Sequence, residues 1–153
     1  MVISEDRNFL FLRETVSLTD AGSSYVEVTD AEVRKLVSNF NTIYQHYKDN
    51  GFDEVYLSVI PNSATIMQPQ GYNQLIPRLQ RDPGLHMKII DAYTRFSQSP
   101  DVLYQPGDTH WNLAGKQLWI DLVNETLDRN GNDSEFAGPN GSNEAIGNHR
   151  VLY

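Results

Sequence analysis

Between Thr29 and Gly51 the apolar residues Val33, Leu36, Val37, Phe40, Ile43, Tyr44 and Tyr47 recur at intervals of three and four, with mostly polar residues between them. That period predicts an amphipathic helix with one face turned to a core. Both of its ends are written locally. Thr29 followed three residues later by Glu32 makes a capping box, and Asn50-Gly51 supplies a left-handed stop. Directly afterwards Val55 to Ile60 (VYLSVI) is a short β-branched and aromatic run closed by Pro61, the pattern of a buried strand.

The alternation continues. A helix is expected around Gly71 to Gln80, closed by Asp82-Pro83-Gly84, and a second strand over Met87 to Ala92 (MKIIDA). Ser99-Pro100 and Pro106-Gly107 flank a short extended piece, Asp101 to Tyr104. A final amphipathic helix is expected from about Asn112 to Asp128, with Leu113, Leu118, Trp119, Leu122, Val123 and Leu127 on its apolar side. Phe9 to Leu12 (FLFL) and Tyr25 to Val28 (YVEV) read as strands or edge pieces. Helix and buried strand in turn from Thr29 to Asp128 predict an α/β sandwich with a mainly parallel sheet. From Arg129 to Asn148 the chain turns to Gly, Asn, Asp, Ser and Pro, a loop composition, and His149 to Tyr153 (HRVLY) reads as the first half of another buried strand. A single domain over 1–153 is therefore expected, cut short on its C-terminal side.

Length and composition narrow the function classes. The 153 residues, 39% of them hydrophobic, suffice for one core, and 12 basic against 20 acidic side chains leave a net charge of −8. Lys and Arg are scattered, Arg34-Lys35 being the one adjacent pair, so nucleic acid is not an expected partner. No window approaches 18 consecutive apolar residues, and the opening MVISEDRNFLFLRE lacks the pattern of a secretory leader, so neither a membrane span nor a signal segment is expected in this chain. The absence of cysteine excludes disulfides, thiolate catalysis and thiolate metal sites. His46, His86, His110 and His149 are too dispersed for a ligand spacing, so no metal or cofactor is expected. The three Asn-x-Ser/Thr triplets starting at Asn124, Asn132 and Asn140 are short enough to be chance.

Of the histidines only His110 has company. It stands in Gly107-Asp108-Thr109-His110-Trp111-Asn112, after a Pro-Gly turn and directly before the last helix. In extended backbone, residues i and i+2 project to one side, so Asp108 can reach one imidazole nitrogen and leave the other free. Such a pair fixes the tautomer and stabilises the imidazolium formed when the ring accepts a proton. A plain helix start, capped by Asp108 or Asn112, has the same spacing, and spacing alone leaves both readings open. Trp111 likewise reads either as a packing aromatic or as a wall on which a sugar ring rests.

The run YQPGDTHWNLAGKQLW, with Asp108, His110, Trp111 and Gly115, resembles the Asp-x-His-Trp motif of alginate O-acetyltransferase-like proteins, a branch of the SGNH hydrolase superfamily. Arg7 to Leu12 resembles the family's "wLFL" opening and Val55 to Pro61 its "vipP" strand end, so the likeness spans most of residues 7–127. It implies a flavodoxin-like, SGNH-type sandwich with Asp108 as orienter and His110 as general base. A serine nucleophile would follow later, after a buried strand. No Gly-Asp-Ser or Gly-Thr-Ser motif follows a strand here, and HRVLY resembles the strand that leads into it. The serine is therefore expected beyond Tyr153, and this chain alone is expected to be inactive. Ser134 follows polar loop residues, and Ser63, after the Val55–Ile60 strand, reads as part of a solvated turn; neither is the expected nucleophile.

The resemblance further implies polysaccharide O-acetyl transfer or acetyl-ester hydrolysis, with an acetylated polysaccharide or acetyl donor as partner, in an extracytoplasmic setting. Trp111, Asn112 and Tyr104 are the candidate substrate contacts. The rival expectation is a noncatalytic glycan-binding or scaffolding domain of the same shape. Glycan identity and oligomeric state are left open by the sequence.

Overall fold

The computed structural model describes residues 1–132. The chain begins with a small antiparallel ribbon, β1 (Val2–Ile3) with β2 (Leu10–Phe11), in the register Val2↔Phe11 and Ile3↔Leu10. The turn between them is closed by the Asp6 carboxylate, which accepts from the Ser4 hydroxyl at 2.5 Å and the Asn8 backbone N–H at 3.0 Å. A four-residue helix α1 (Arg13–Val16) follows. Tyr25 to Val28 form no strand. Val26 O accepts from Asn73 Nδ2 at 2.8 Å and Val28 O from Arg78, and among the described residues no strand pairs with them.

Helix α2 (Asp30–Asp49) has the capping box the pattern predicts. Its buried Val33 and Val37 meet Leu79 of α4 (Leu75–Gln80), with Leu57 and Val59 packed against them. The parallel element is one pair, β3 (Tyr56–Leu57) with β4 (Lys88–Ile89), in the register Tyr56↔Lys88 and Leu57↔Ile89. The fold is thus mixed α/β, but among the described residues one parallel and one antiparallel pair of equal size replace the mainly parallel sheet expected.

Besides α1, two further short helices escaped the periodic reading. In α3 (Ser63–Met67), Asn62 Oδ1 accepts the Thr65 N–H at 2.9 Å, and Ser63 is 2% exposed, which overturns its reading as a solvated turn. In α5 (Ala92–Ser97), Asp91 Oδ1 accepts the Thr94 N–H at 2.9 Å, so the expected second strand stops early and Ala92 opens a helix. Each helix is too short to show a period, and each begins at a side-chain cap. Helix α6 (Leu113–Asn132) runs four residues past Asp128, into the segment expected to be loop. Its Leu113 is 81% exposed, not part of the apolar side. The rest of the loop and the HRVLY strand expected over 149–153 lie outside the described residues.

The core beside the candidate site consists of Ala92, Phe96, Leu103 and Tyr104, against which Trp111, Leu118, Trp119 and Leu122 pack. No helix among the described residues is long and apolar enough to cross a membrane.

Candidate active site

Asp108 and His110 ride on a tight hairpin. Tyr104 and Trp111 form an antiparallel bridge, the Gln105 N–H donates to His110 O at 3.0 Å, and the Asp108 N–H donates to Gln105 O at 3.3 Å. From outside, Leu10 of β2 donates its N–H to Pro106 O at 2.8 Å. The hairpin is therefore braced by the N-terminal ribbon, far away in sequence.

Its other side is joined to α6 through Asn112. The Asn112 Oδ1 accepts the Gly115 N–H at 3.0 Å, its Nδ2 donates to Val102 O at 2.5 Å, and its backbone N–H donates to Leu103 O at 2.9 Å. Gly115 is needed for that joint: a Cβ at this position would run into the Leu103 carbonyl and press on Trp111 Cβ at 3.2 Å. The glycine that follows the motif thus has a steric reason.

On this frame His110 Nδ1 lies 2.8 Å from Asp108 Oδ1, and the same oxygen accepts the Thr109 N–H at 2.6 Å. The hydrogen bond from His110 holds the Asp108 carboxyl below its usual range, outweighing desolvation, with lesser help from the Thr109 N–H. An ionised carboxylate only accepts, so Nδ1 carries the proton of the pair. In the neutral ring Nε2 then keeps its lone pair, the arrangement of a base with its orienter behind it. The side chains are 80% and 54% exposed for His110 and Asp108, and a hollow of about 310 Å³ beside them is lined by Thr109, His110, Trp111 and Lys116.

The three expected substrate contacts have different surroundings. Trp111 is half-buried, 5.4 Å from the Phe96 ring and 5.9 Å from Trp119, and also faces the hollow, so it packs and lines at once. Asn112 has both arms of its amide engaged in the joint to α6, which makes it a cap and not a free contact. Tyr104 is 1% exposed and donates its hydroxyl to Pro61 O at 2.5 Å; burial pushes its pKa up, and no surface remains for a polysaccharide to touch. Tyr104 instead ties the hairpin to the loop after β3.

Lys116 was not anticipated. It sits one helical turn after Asn112, its N–H donating to Asn112 O at 3.1 Å, and that i+4 spacing from the cap was the available signal. No serine among the described residues is hydrogen-bonded to His110. Nor does any group of three His, Asp or Glu side chains there stand ready to hold a metal ion. Ser134 and His149 lie outside the described residues. Compared with known proteins, the chain matches no family model, no curated protein and no solved structure.

Proposed function

We propose that this chain carries the base and orienter of a serine-dependent polysaccharide O-acetyltransferase or acetylesterase of the SGNH type, with the nucleophile supplied by sequence following Tyr153. The observation that carries the reading is the 2.8 Å contact between His110 Nδ1 and Asp108 Oδ1 on a braced, exposed hairpin. His110 takes the serine proton at Nε2 as Oγ attacks the acetyl carbonyl, and Asp108 stabilises the imidazolium. His110 then returns the proton to the departing sugar oxygen, leaving an acetyl-serine for transfer to another hydroxyl or to water. Trp111 offers its exposed part to a sugar ring. The extracytoplasmic setting follows from the resemblance, because exported polysaccharides are that family's substrates.

A second reading is a noncatalytic glycan-binding domain. It is favoured by the exposure of the pair and by the lack of a serine bonded to His110 among the described residues.

Hydrolysis of p-nitrophenyl acetate separates the two. The 153-residue chain should be nearly inert, a chain carrying the natural continuation should turn the ester over, and His110→Ala in that longer chain should lower turnover about 10³-fold or more. Activity in the short chain abolished by Ser63→Ala would sink the proposed origin of the nucleophile. An inert longer chain that still binds an acetylated glycan would establish the noncatalytic reading.

A further inference from the structure

Between the end of α4 and the start of α5 lies a recess of about 270 Å³ that shares no residue with the hollow beside His110. It opens at the carboxyl end of β4, the side on which open parallel sheets hold their ligands. Ile89 and Tyr93 supply apolar wall, and Gln80, Arg81, Asp91 and Thr94 supply polar groups.

Asp91 is fixed before any ligand arrives. Its Oδ1 accepts the Thr94 N–H at 2.9 Å and Gln80 Nε2 at 3.0 Å. Oδ2 keeps its accepting capacity. Among the described residues the Arg81 guanidinium has no ion-pair partner, and the hydroxyls of Tyr93 and Thr94 have no protein partner. An orienting bridge therefore stands beside several groups with unspent hydrogen-bonding capacity.

We propose that this recess binds one neutral pyranose unit through its vicinal hydroxyls. The mixed charge makes the choice. A phosphate would meet the Asp91 carboxylate, and a bare cation would meet Arg81, whereas a neutral diol donates to the first and accepts from the second. The Tyr93 ring gives the apolar C–H face of a sugar something to lie against. The volume falls just below the ~300–1,000 Å³ of drug-sized sites and suits a single ring. This assignment stands on its own residues and does not depend on acetyl transfer at His110.

The test is an amide NMR titration of the 153-residue chain with the methyl pyranosides of glucose, galactose and mannose, and with inorganic phosphate and Ca²⁺ in parallel. At least one pyranoside should shift the Arg81, Asp91, Tyr93 and Thr94 resonances saturably at millimolar concentration. Arg81→Ala and Asp91→Asn should each weaken that binding about tenfold or more. Asn is as good an N-cap as Asp, so Asp91→Asn keeps α5 intact. Shifts at these residues from phosphate or Ca²⁺ instead, or no response to any of the three sugars, would overturn the assignment. A sugar response confined to Thr109, His110 and Trp111 would also overturn it, while supporting a glycan site at the hairpin.

Discussion

Helices α2 and α6 are both 20 residues long, yet they begin in different ways. At Thr29 the cap is local: Thr29 Oγ1 accepts the Glu32 N–H at 3.3 Å, and Glu32 Oε2 accepts the Thr29 N–H at 2.8 Å, although Arg78 of α4 also pairs with Asp30. At Asn112 the bonds to Gly115 and Lys116 are local, while two others reach back to Val102 and Leu103. The first helix start is a property of four consecutive residues. The second is a joint between two segments, and His110 stands two residues before it. A side chain placed there inherits its position from tertiary contacts, which a self-capped helix start does not require.

The contrast predicts unequal costs. Gly115→Ala should destabilise the protein by about 2–3 kcal/mol, because the Leu103 carbonyl is backbone and cannot swing aside. Urea denaturation measures it, and a change within about 0.5 kcal/mol, the range of an ordinary surface substitution, would break the comparison at its strongest point.

Asn112→Ala should cost about 2 kcal/mol, the lost cap together with the lost donor to Val102 O. Asn112→Asp sharpens the point, since it restores the cap but not the donor and should recover only part of the stability. The His110 side-chain NMR signals should move in Asn112→Ala.

Thr29→Ala should cost about 1 kcal/mol, with Thr29→Ser close to neutral. Here the His110 signals should stay where they are. Movement of those signals on substituting Thr29 would mean that the two helix starts are coupled.

The smallest effect is in acid. Asp108 is held low chiefly by its hydrogen bond with His110, and Glu32 is held low chiefly by the Thr29 backbone N–H. A carboxyl depressed in the folded state contributes stability above its unfolded pKa and loses it as pH falls through the folded value, because the unfolded chain takes up protons first. Asp108→Asn and Glu32→Gln should therefore each flatten the rise of stability with pH slightly over the acidic carboxylate range. Both groups are exposed, so solvent screening keeps the changes small. A large loss of acid stability from Asp108→Asn alone would show that the hairpin depends on the pair far more than its exposure implies.

How much of this was written in the chain differs by element. Helix α2 was legible end to end because 20 residues display a 3.6 period and its cap lies within four positions. The Asp108–His110 contact was legible as a spacing of two residues, although the backbone that carries it is the bent tip of a hairpin and not the extended segment expected. Helices α3 and α5, of five and six residues, were hidden because a single turn and a half shows no period. YVEV had the composition of a strand but, among the described residues, no strand to pair with.

The sequence by itself determined the capped amphipathic helix and the carboxylate–imidazole pair, which rest on interactions between residues a few positions apart, and the mixed α/β character, which rests on the alternation of helical and β-rich patterns along the chain. Only the tertiary structure decided that Tyr104 is buried against Pro61, that Ser63 is covered, that Asn112 is spent on the joint to α6, and that Gln80 meets Asp91. Each of these depends on which backbone carbonyl or side chain a distant segment presents, and burial is set by the packing of all neighbours at once, which no local pattern encodes.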